Sequence, residues 1–172
     1  MGPGLRRDDR VEKPLMPAPK SLSRSAPSTV SAGTVVSSLL TIETSGAGFS
    51  DLTAEITRFV KDAGAREGAV TLFIRHTSAS LTIQENADPS VLDDLMTALD
   101  RFAPENAGWS HDSEGPDDMP AHVKTMLTST SLHIPVLNGR LALGTWQAIY
   151  LIEHRRRPHR REIVMQSVGA TG

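Results

Sequence analysis

Leu132-His133-Ile134-Pro135-Val136-Leu137-Asn138-Gly139-Arg140-Leu141-Ala142-Leu143 decides the fold class of this chain. Asn-Gly favours the left-handed backbone of a two-residue hairpin turn, so Leu132–Leu137 and Arg140–Leu143 read as antiparallel strands. Two further strands follow, Thr145–His154 and Glu162–Val168, joined by the Arg-rich turn Arg155-Arg156-Arg157-Pro158-His159-Arg160-Arg161. The last third of the chain is therefore a β-meander.

Upstream of it, helices and strands are punctuated in a regular order. Thr34–Thr44 is a β-branched strand closed by Ser45-Gly46-Ala47-Gly48, and Ser50-Asp51 offers an N-cap to a helix ending near Gly64. In that helix Leu52, Ile56, Phe59, Val60 and Ala63 form one apolar stripe. Ala69–Thr77 and Ser80–Gln84 read as strands around a Thr-Ser-Ala corner. Asp88-Pro89 is an N-cap with Pro at the first helical position, opening a helix whose Leu92, Leu95, Leu99 and Phe102 share a face until Pro104. Asp118 can cap a short helix from Met119 to about Thr128. This order predicts an α+β domain: a largely antiparallel sheet covered on one side by two to three helices.

Length and charge bound the organisation. A chain of 172 residues, 38% hydrophobic and 22% charged, can bury one core and carry one tail. The expected division is a Pro/Ser/Arg-rich disordered tail over 1–33 and a single domain over 34–170. Asp8, Asp9 and Glu12 are wrong for a transit peptide, and Arg6 stands where a myristoylation signal wants Ser or Thr. A bland tail, or an upstream start with Met16 as the working one, is the expectation. No apolar run is long enough to cross a bilayer, and a cytoplasmic address fits. With no cysteine, a metal must be held by nitrogen and oxygen. Residues 85–118 carry ten acids against one base, Arg101, which counts against a nucleic-acid partner there. The Arg-rich turn lacks interleaved aromatics and reads as solvated.

The candidate chemistry centres on His111-Asp112-Ser113-Glu114-Gly115-Pro116-Asp117-Asp118-Met119-Pro120-Ala121-His122, two imidazoles and four carboxylates around a Gly-Pro turn. Such a segment is either a solvated loop or the wall of a divalent-metal site. His76 alternates onto the face of Leu72 and Ile74, as a hydrogen-bonded core histidine would. It also leads into Thr77-Ser78-Ala79-Ser80, a hydroxyl-rich corner suited to an anion. Glu85-Asn86 fits turn chemistry as well as a site. In the Thr145–His154 strand, Gln147 and Glu153 interrupt an apolar row: if that face is core each needs a partner, in a site or a subunit contact, and otherwise the strand has reached solvent at Glu153 and His154.

Three ordered motifs carry a family resemblance. They are Phe73-Ile74-Arg75-His76-Thr77-Ser78-Ala79-Ser80-Leu81-Thr82-Ile83-Gln84-Glu85-Asn86-Ala87-Asp88-Pro89, then His111 with Glu114 to Lys124, then Ile134 to His154. Over roughly residues 34–168 the chain resembles the YjbQ family, the so-called secondary thiamine-phosphate synthases, with His133 a departure where a small polar residue is usual. The resemblance implies a compact homotrimeric α+β protomer with a metal-capable pocket lined by the motif histidines. It also implies a weak activity that joins a hydroxymethylpyrimidine diphosphate to a thiazole phosphate and releases pyrophosphate.

Such a transfer needs the leaving diphosphate neutralised. On this reading His111 and His122, assisted by Glu114 or Asp117, hold a divalent Mg or Zn. Arg75, Lys124, Thr77 and Ser78 contact phosphate, Trp146 stacks on a heteroaromatic ring and Gln147 lines the substrate site. His76, Glu85 and Glu153 are the catalytic candidates. The partners expected are two further copies of the chain and a small phosphorylated molecule. The competing reading is a trimeric metal- or phospholigand-binding protein without significant turnover. A hydrolase acting on a phosphorylated metabolite is a third.

Overall fold

A computed structural model describes residues 23–172; most of the expected tail, residues 1–22, lies outside the described residues. Residues 23–33 are exposed and without regular secondary structure. The elements then run β1 (Thr34–Glu43), β2 (Gly48–Asp51), α1 (Thr53–Asp62), β3 (Ala65–Ile74), β4 (Ala79–Glu85), α2 (Pro89–Phe102), α3 (Asp118–Leu127), β5 (Ser131–Leu137), β6 (Arg140–Leu141), β7 (Gln147–Glu153) and β8 (Arg160–Thr171).

The α+β class and the antiparallel pairing are as expected, but the strands form two sheets where one was anticipated. One has the order β1-β8-β3-β5-β6 and the other β2-β7-β4. The short strand β2 reads in sequence as turn and cap, because four residues carry too little alternation to stand out. It pairs with β7, Phe49 opposite Ile152, and completes the smaller sheet.

The inner faces of the two sheets meet over one core. Val70, Leu72 and Ile74 of β3, Ile163 of β8, and Ile149 and Leu151 of β7 are each at most 1% exposed. The apolar stripe of α1 joins them through Ile56, Phe59 and Val60, and the helix packs against β3, β6, β7 and β8. Each such side chain contributes roughly 1.5–3 kcal/mol by leaving water. The Asn138-Gly139 turn has φ of 52° and 76°, the left-handed pair that the hairpin requires.

Local capping differs in detail. Asp88 caps α2 as anticipated, its Oδ1 accepting from Ser90 N at 2.9 Å with Pro89 at the first position. Asp118 is the first residue of α3 and not its cap, a position held by Asp117 without a side-chain cap bond; the Asp118 carboxylate is buried. Phe102, expected on the buried face of α2, is 70% exposed, whereas Leu99 and Ala103 on either side of it are buried. The Arg-rich turn is solvated only in its middle. Arg155 and Arg161 at its two ends are buried, each held by carboxylates.

Candidate functional site

The site is assembled where β3, β4, β7 and the start of α3 come together. α3 begins directly after the Gly115-Pro116 turn, which brings His111 back against the helix and places His122 one turn after Asp118. His111 Nε2 lies 2.9 Å and His122 Nε2 3.8 Å from Asp118 Oδ2, and the two rings are 5.6 Å apart centre to centre. Ligand atoms of these three residues all fall within 4.8 Å of one another.

Two hydrogen bonds define the electronic state of this cluster. His122 Nδ1 faces the Thr77 carbonyl at 3.0 Å. A carbonyl can only accept, so Nδ1 carries the proton and Nε2 keeps its lone pair toward Asp118. On the other side, Arg155 Nη1 donates to Asp118 Oδ1, leaving Oδ2 buried and without a hydrogen-bond partner among the described residues. The 2.9 Å approach of His111 is an ion-pair distance that lacks hydrogen-bond alignment. A buried, unsatisfied carboxylate oxygen costs about 1–3 kcal/mol unless something completes it. Two imidazole nitrogens and one such oxygen, open on the solvent side, are a donor set that fits a divalent metal.

Of the four metal ligands expected from sequence, the histidines are together and the carboxylates are not those anticipated. Asp117 Oδ2 accepts from Arg156 N at 2.8 Å and from Arg155 Nε at 3.2 Å. Burial works to raise its pKa, yet these donors hold it below the usual carboxylate value. Glu114 is exposed; its backbone carbonyl accepts from Arg155 Nη2 at 2.8 Å, and its carboxylate lies 3.8 Å from Arg155 Nη1, turned to the arginine and not to the histidines. Asp118 is the carboxylate that faces the two histidines. The i, i+4 spacing of Asp118 and His122 on a helix is the sequence signal that identifies it.

His76 stands beside the cluster without joining it. Glu162 N–H donates to its Nε2 at 3.0 Å, so the ring proton sits on Nδ1. Burial and Arg161 lower its pKa. Together with Thr77, His122, Thr125, Met126 and Thr130 it lines an open cleft of about 460 Å³.

Glu153 is not available as an acid or base. Its carboxylate takes Arg161 Nη2 at 2.6 Å and Nε at 2.7 Å, Thr44 Oγ1 at 2.9 Å and Arg155 N at 2.9 Å. Burial would raise its pKa, but Arg161 and Arg155 N–H hold it low. It clasps the smaller sheet to the larger. Ser78 belongs to the same clasp, its Oγ accepting from Arg161 Nη2 at 3.1 Å. Arg75 is exposed and paired with Glu162 at 3.2 Å. Lys124 is buried and donates to Asp100 at 2.5 Å on the opposite side of α3, lining a different cleft. Glu85, Trp146 and Gln147 sit at the far end of the smaller sheet: Glu85 pairs with Gln147, whereas Ala79 pairs with Glu153 at the cluster end. Six residue steps of strand separate the two ends, about 20 Å. Within one chain these three do not approach the histidines.

Fold and cluster define a class: a two-sheet antiparallel α+β domain with His and Asp donors gathered at one end of the smaller sheet. The chain belongs to the YjbQ-like UPF0047 proteins, whose family model, described as "UPF0047 protein YjbQ-like", matches residues 38–170. A UPF0047 protein of Synechocystis is 49% identical over 76% of this chain and 90% of its own length. The UPF0047 protein YjbQ of Escherichia coli O157:H7 is 43% identical over 73% of this chain and 91% of its own length. Among solved structures, an uncharacterised conserved protein of the YjbQ/UPF0047 family from Clostridium acetobutylicum superposes with a TM-score of 0.70 at 35% identity, covering 75% of this chain and 98% of that one. A hypothetical protein from Aeropyrum pernix shares the fold with a TM-score of 0.73 at 24% identity, over 78% of this chain and 99% of that one. No helix among the described residues is long and apolar enough to cross a membrane.

Proposed function

We propose that this domain binds a divalent metal through His111 Nε2, His122 Nε2 and Asp118 Oδ2 and acts on a small phosphorylated molecule in the adjoining cleft. The observation that carries the proposal is the buried Asp118 Oδ2, unpartnered among the described residues and facing two imidazoles. Two nitrogens and one oxygen suit zinc better than magnesium, which prefers an all-oxygen shell. The reaction we assign, following the family resemblance, is a weak thiamine-phosphate synthase transfer. The carbon–oxygen bond of a pyrimidine diphosphate breaks, pyrophosphate leaves with the electron pair, and a thiazole nitrogen forms the new carbon–nitrogen bond.

When bound, the metal supplies charge neutralisation to the diphosphate oxygens. The chain's own residues do the rest. The His76 Nδ1–H and the hydroxyls of Thr77 and Thr130 offer donors along the cleft, and Met126, exposed at its rim, offers an apolar surface to a heteroaromatic ring. Arg155 and the Thr77 carbonyl orient the donor atoms.

The chain is a homotrimer in this proposal, in support of which the outer face of the larger sheet leaves Val35, Leu39, Phe73 and Val168 exposed. Only a neighbouring copy can bring Trp146 or Gln147 to the histidines, given their place at the far sheet end. A specific observation favours the second reading, binding without turnover: Glu153 is spent on Arg161 and Glu85 lies remote, so among the described residues no carboxylate lines the cleft.

Metal analysis of the purified full chain tests both. The expected result is about one zinc per chain, lost in His122→Ala and Asp118→Asn. Pyrophosphate release from the two thiamine precursors then separates enzyme from binding protein. A chain that neither retains zinc nor takes it up when supplied overturns the metal site.

A further inference from the structure

A second constellation lies on the other side of α3 and plays no part in the metal cluster. His154, 2% exposed, presents Nε2 to Ser80 Oγ at 2.9 Å, while its buried Nδ1 has no partner among the described residues. Beside it Lys124, 6% exposed, holds its ammonium in contact with Asp100 at 2.5 Å. Both line a cleft of about 460 Å³ rimmed by Ala103, Pro104, Glu105 and Arg156. A buried lysine and a buried histidine at the floor of one cleft are costly to keep for packing alone.

We propose that this cleft is a binding site for a compact oxyanion of the phosphate type, held by Lys124 Nζ and His154 Nδ1–H, distinct from the histidine–aspartate cluster. The ring that serves this role accepts the Ser80 hydroxyl proton at Nε2 and carries its own proton on Nδ1. Burial, with the Lys124 charge next, lowers the His154 pKa to about 4, so the ring is neutral at pH 7 and donates one N–H without adding a second buried charge. The carboxylates around the cleft are already engaged: Asp117 by Arg155 and Arg156, Glu105 by Arg156 at 2.7 Å, and Asp100 by Lys124. Asp100 is 67% exposed on α2, so it can swing outward and yield Lys124 to an arriving anion. Asp100 thus competes with the ligand. Asp117 also binds Arg155, the partner of Asp118, and so ties this cleft to the metal cluster through one side chain.

Phosphate binding in this cleft does not depend on metal at the histidine–aspartate cluster and is measured without it. Inorganic phosphate is titrated into the full chain, kept metal-free by a chelator, with the ring nitrogens of 15N-labelled histidine followed by NMR. The expected result is a saturable shift of the His154 signals from a ring protonated at Nδ1. Lys124→Met should weaken phosphate binding about tenfold or more, the loss of one charge-assisted contact. Asp100→Asn should strengthen it, a gain that a purely structural role for the pair does not produce. His122→Ala should leave it unchanged. Phosphate that shifts only His111 and His122, or a His154 signal that does not respond, overturns the inference without touching the metal assignment. Unaltered affinity in both Lys124→Met and Asp100→Asn does the same.

Discussion

Arg155 engages one carboxylate oxygen of Asp118 and leaves the other facing the imidazoles of His111 and His122. The same guanidinium donates to Asp117 Oδ2 at 3.2 Å and to the Glu114 carbonyl at 2.8 Å, so it pins both ends of the Gly-Pro turn. A planar fork does this where a single ammonium cannot.

Arg155→Met should therefore act on two observables. It leaves the buried Asp118 carboxylate uncompensated, which costs about 3–5 kcal/mol of stability, readable in urea unfolding. It also frees Asp118 to rotate, and zinc affinity should fall about 10–100-fold, as when an outer partner of a ligand is lost. Arg155→Lys separates the effects by restoring charge without the fork. Full zinc affinity in the lysine variant would show that the fork does not orient Asp118.

Acid should weaken the fold in two windows. The His154 pKa falls from 6.5 to about 4 on burial. Above pH 6.5 both folded and unfolded chains hold it neutral and it contributes no pH dependence. As pH falls below 6.5, the unfolded chain takes up a proton that the folded one refuses until about pH 4, and stability drops by up to about 3 kcal/mol. His76, also lowered, acts in the same direction. Glu153 acts later: its folded pKa lies below 4.5, so its share is present above that value and lost as pH falls through the lowered one. Urea midpoints measured from pH 7 to pH 4.5 should decline for the natural chain, and His154→Gln should flatten that decline. An unchanged slope in the variant would remove His154 as its source.

How much of this was legible before the structure follows from what each feature depends on. Strand alternation, the Asp88-Pro89 cap and the Asn138-Gly139 turn are local, and each stands as read. The split into two sheets depends on β2, four residues that become a strand only by pairing with β7. The site is half legible. His111 and His122 bracket a turn that brings their rings together, but which of Glu114, Asp117 and Asp118 faces them depends on Arg155, some forty residues on. Strand alternation leaves Glu153 either in the core with a partner or at a solvated strand end, and it is the former, 1% exposed. That partner is Arg161, across the sheet interface, and a buried ion pair looks like a catalytic carboxylate until its partner is known. Ser80 reads only as part of the hydroxyl-rich corner and His154 as a strand end, because nothing in sequence joins two residues so far apart in the chain.

The outer face of the larger sheet supplies the test of assembly. Val35 pairs with Val168, and Leu39 and Phe73 both pair with Val164, so these apolar side chains form neighbouring rows on one face. Leu39 and Phe73 are each 48% exposed, and Val35 is 62% exposed. An apolar sheet face of this kind in water invites coverage, and a closed ring of identical copies covers it without leaving an open end. Phe73 points away from the core, so Phe73→Lys should change the stability of the single chain by only about 0.5 kcal/mol. In the assembly it places a charge against apolar neighbours. Light scattering should then report a trimer for the natural chain and a smaller species for the variant at equal concentration. A natural chain that is monomeric at micromolar concentration refutes the trimer outright, and a trimeric Phe73→Lys moves the interface to another face.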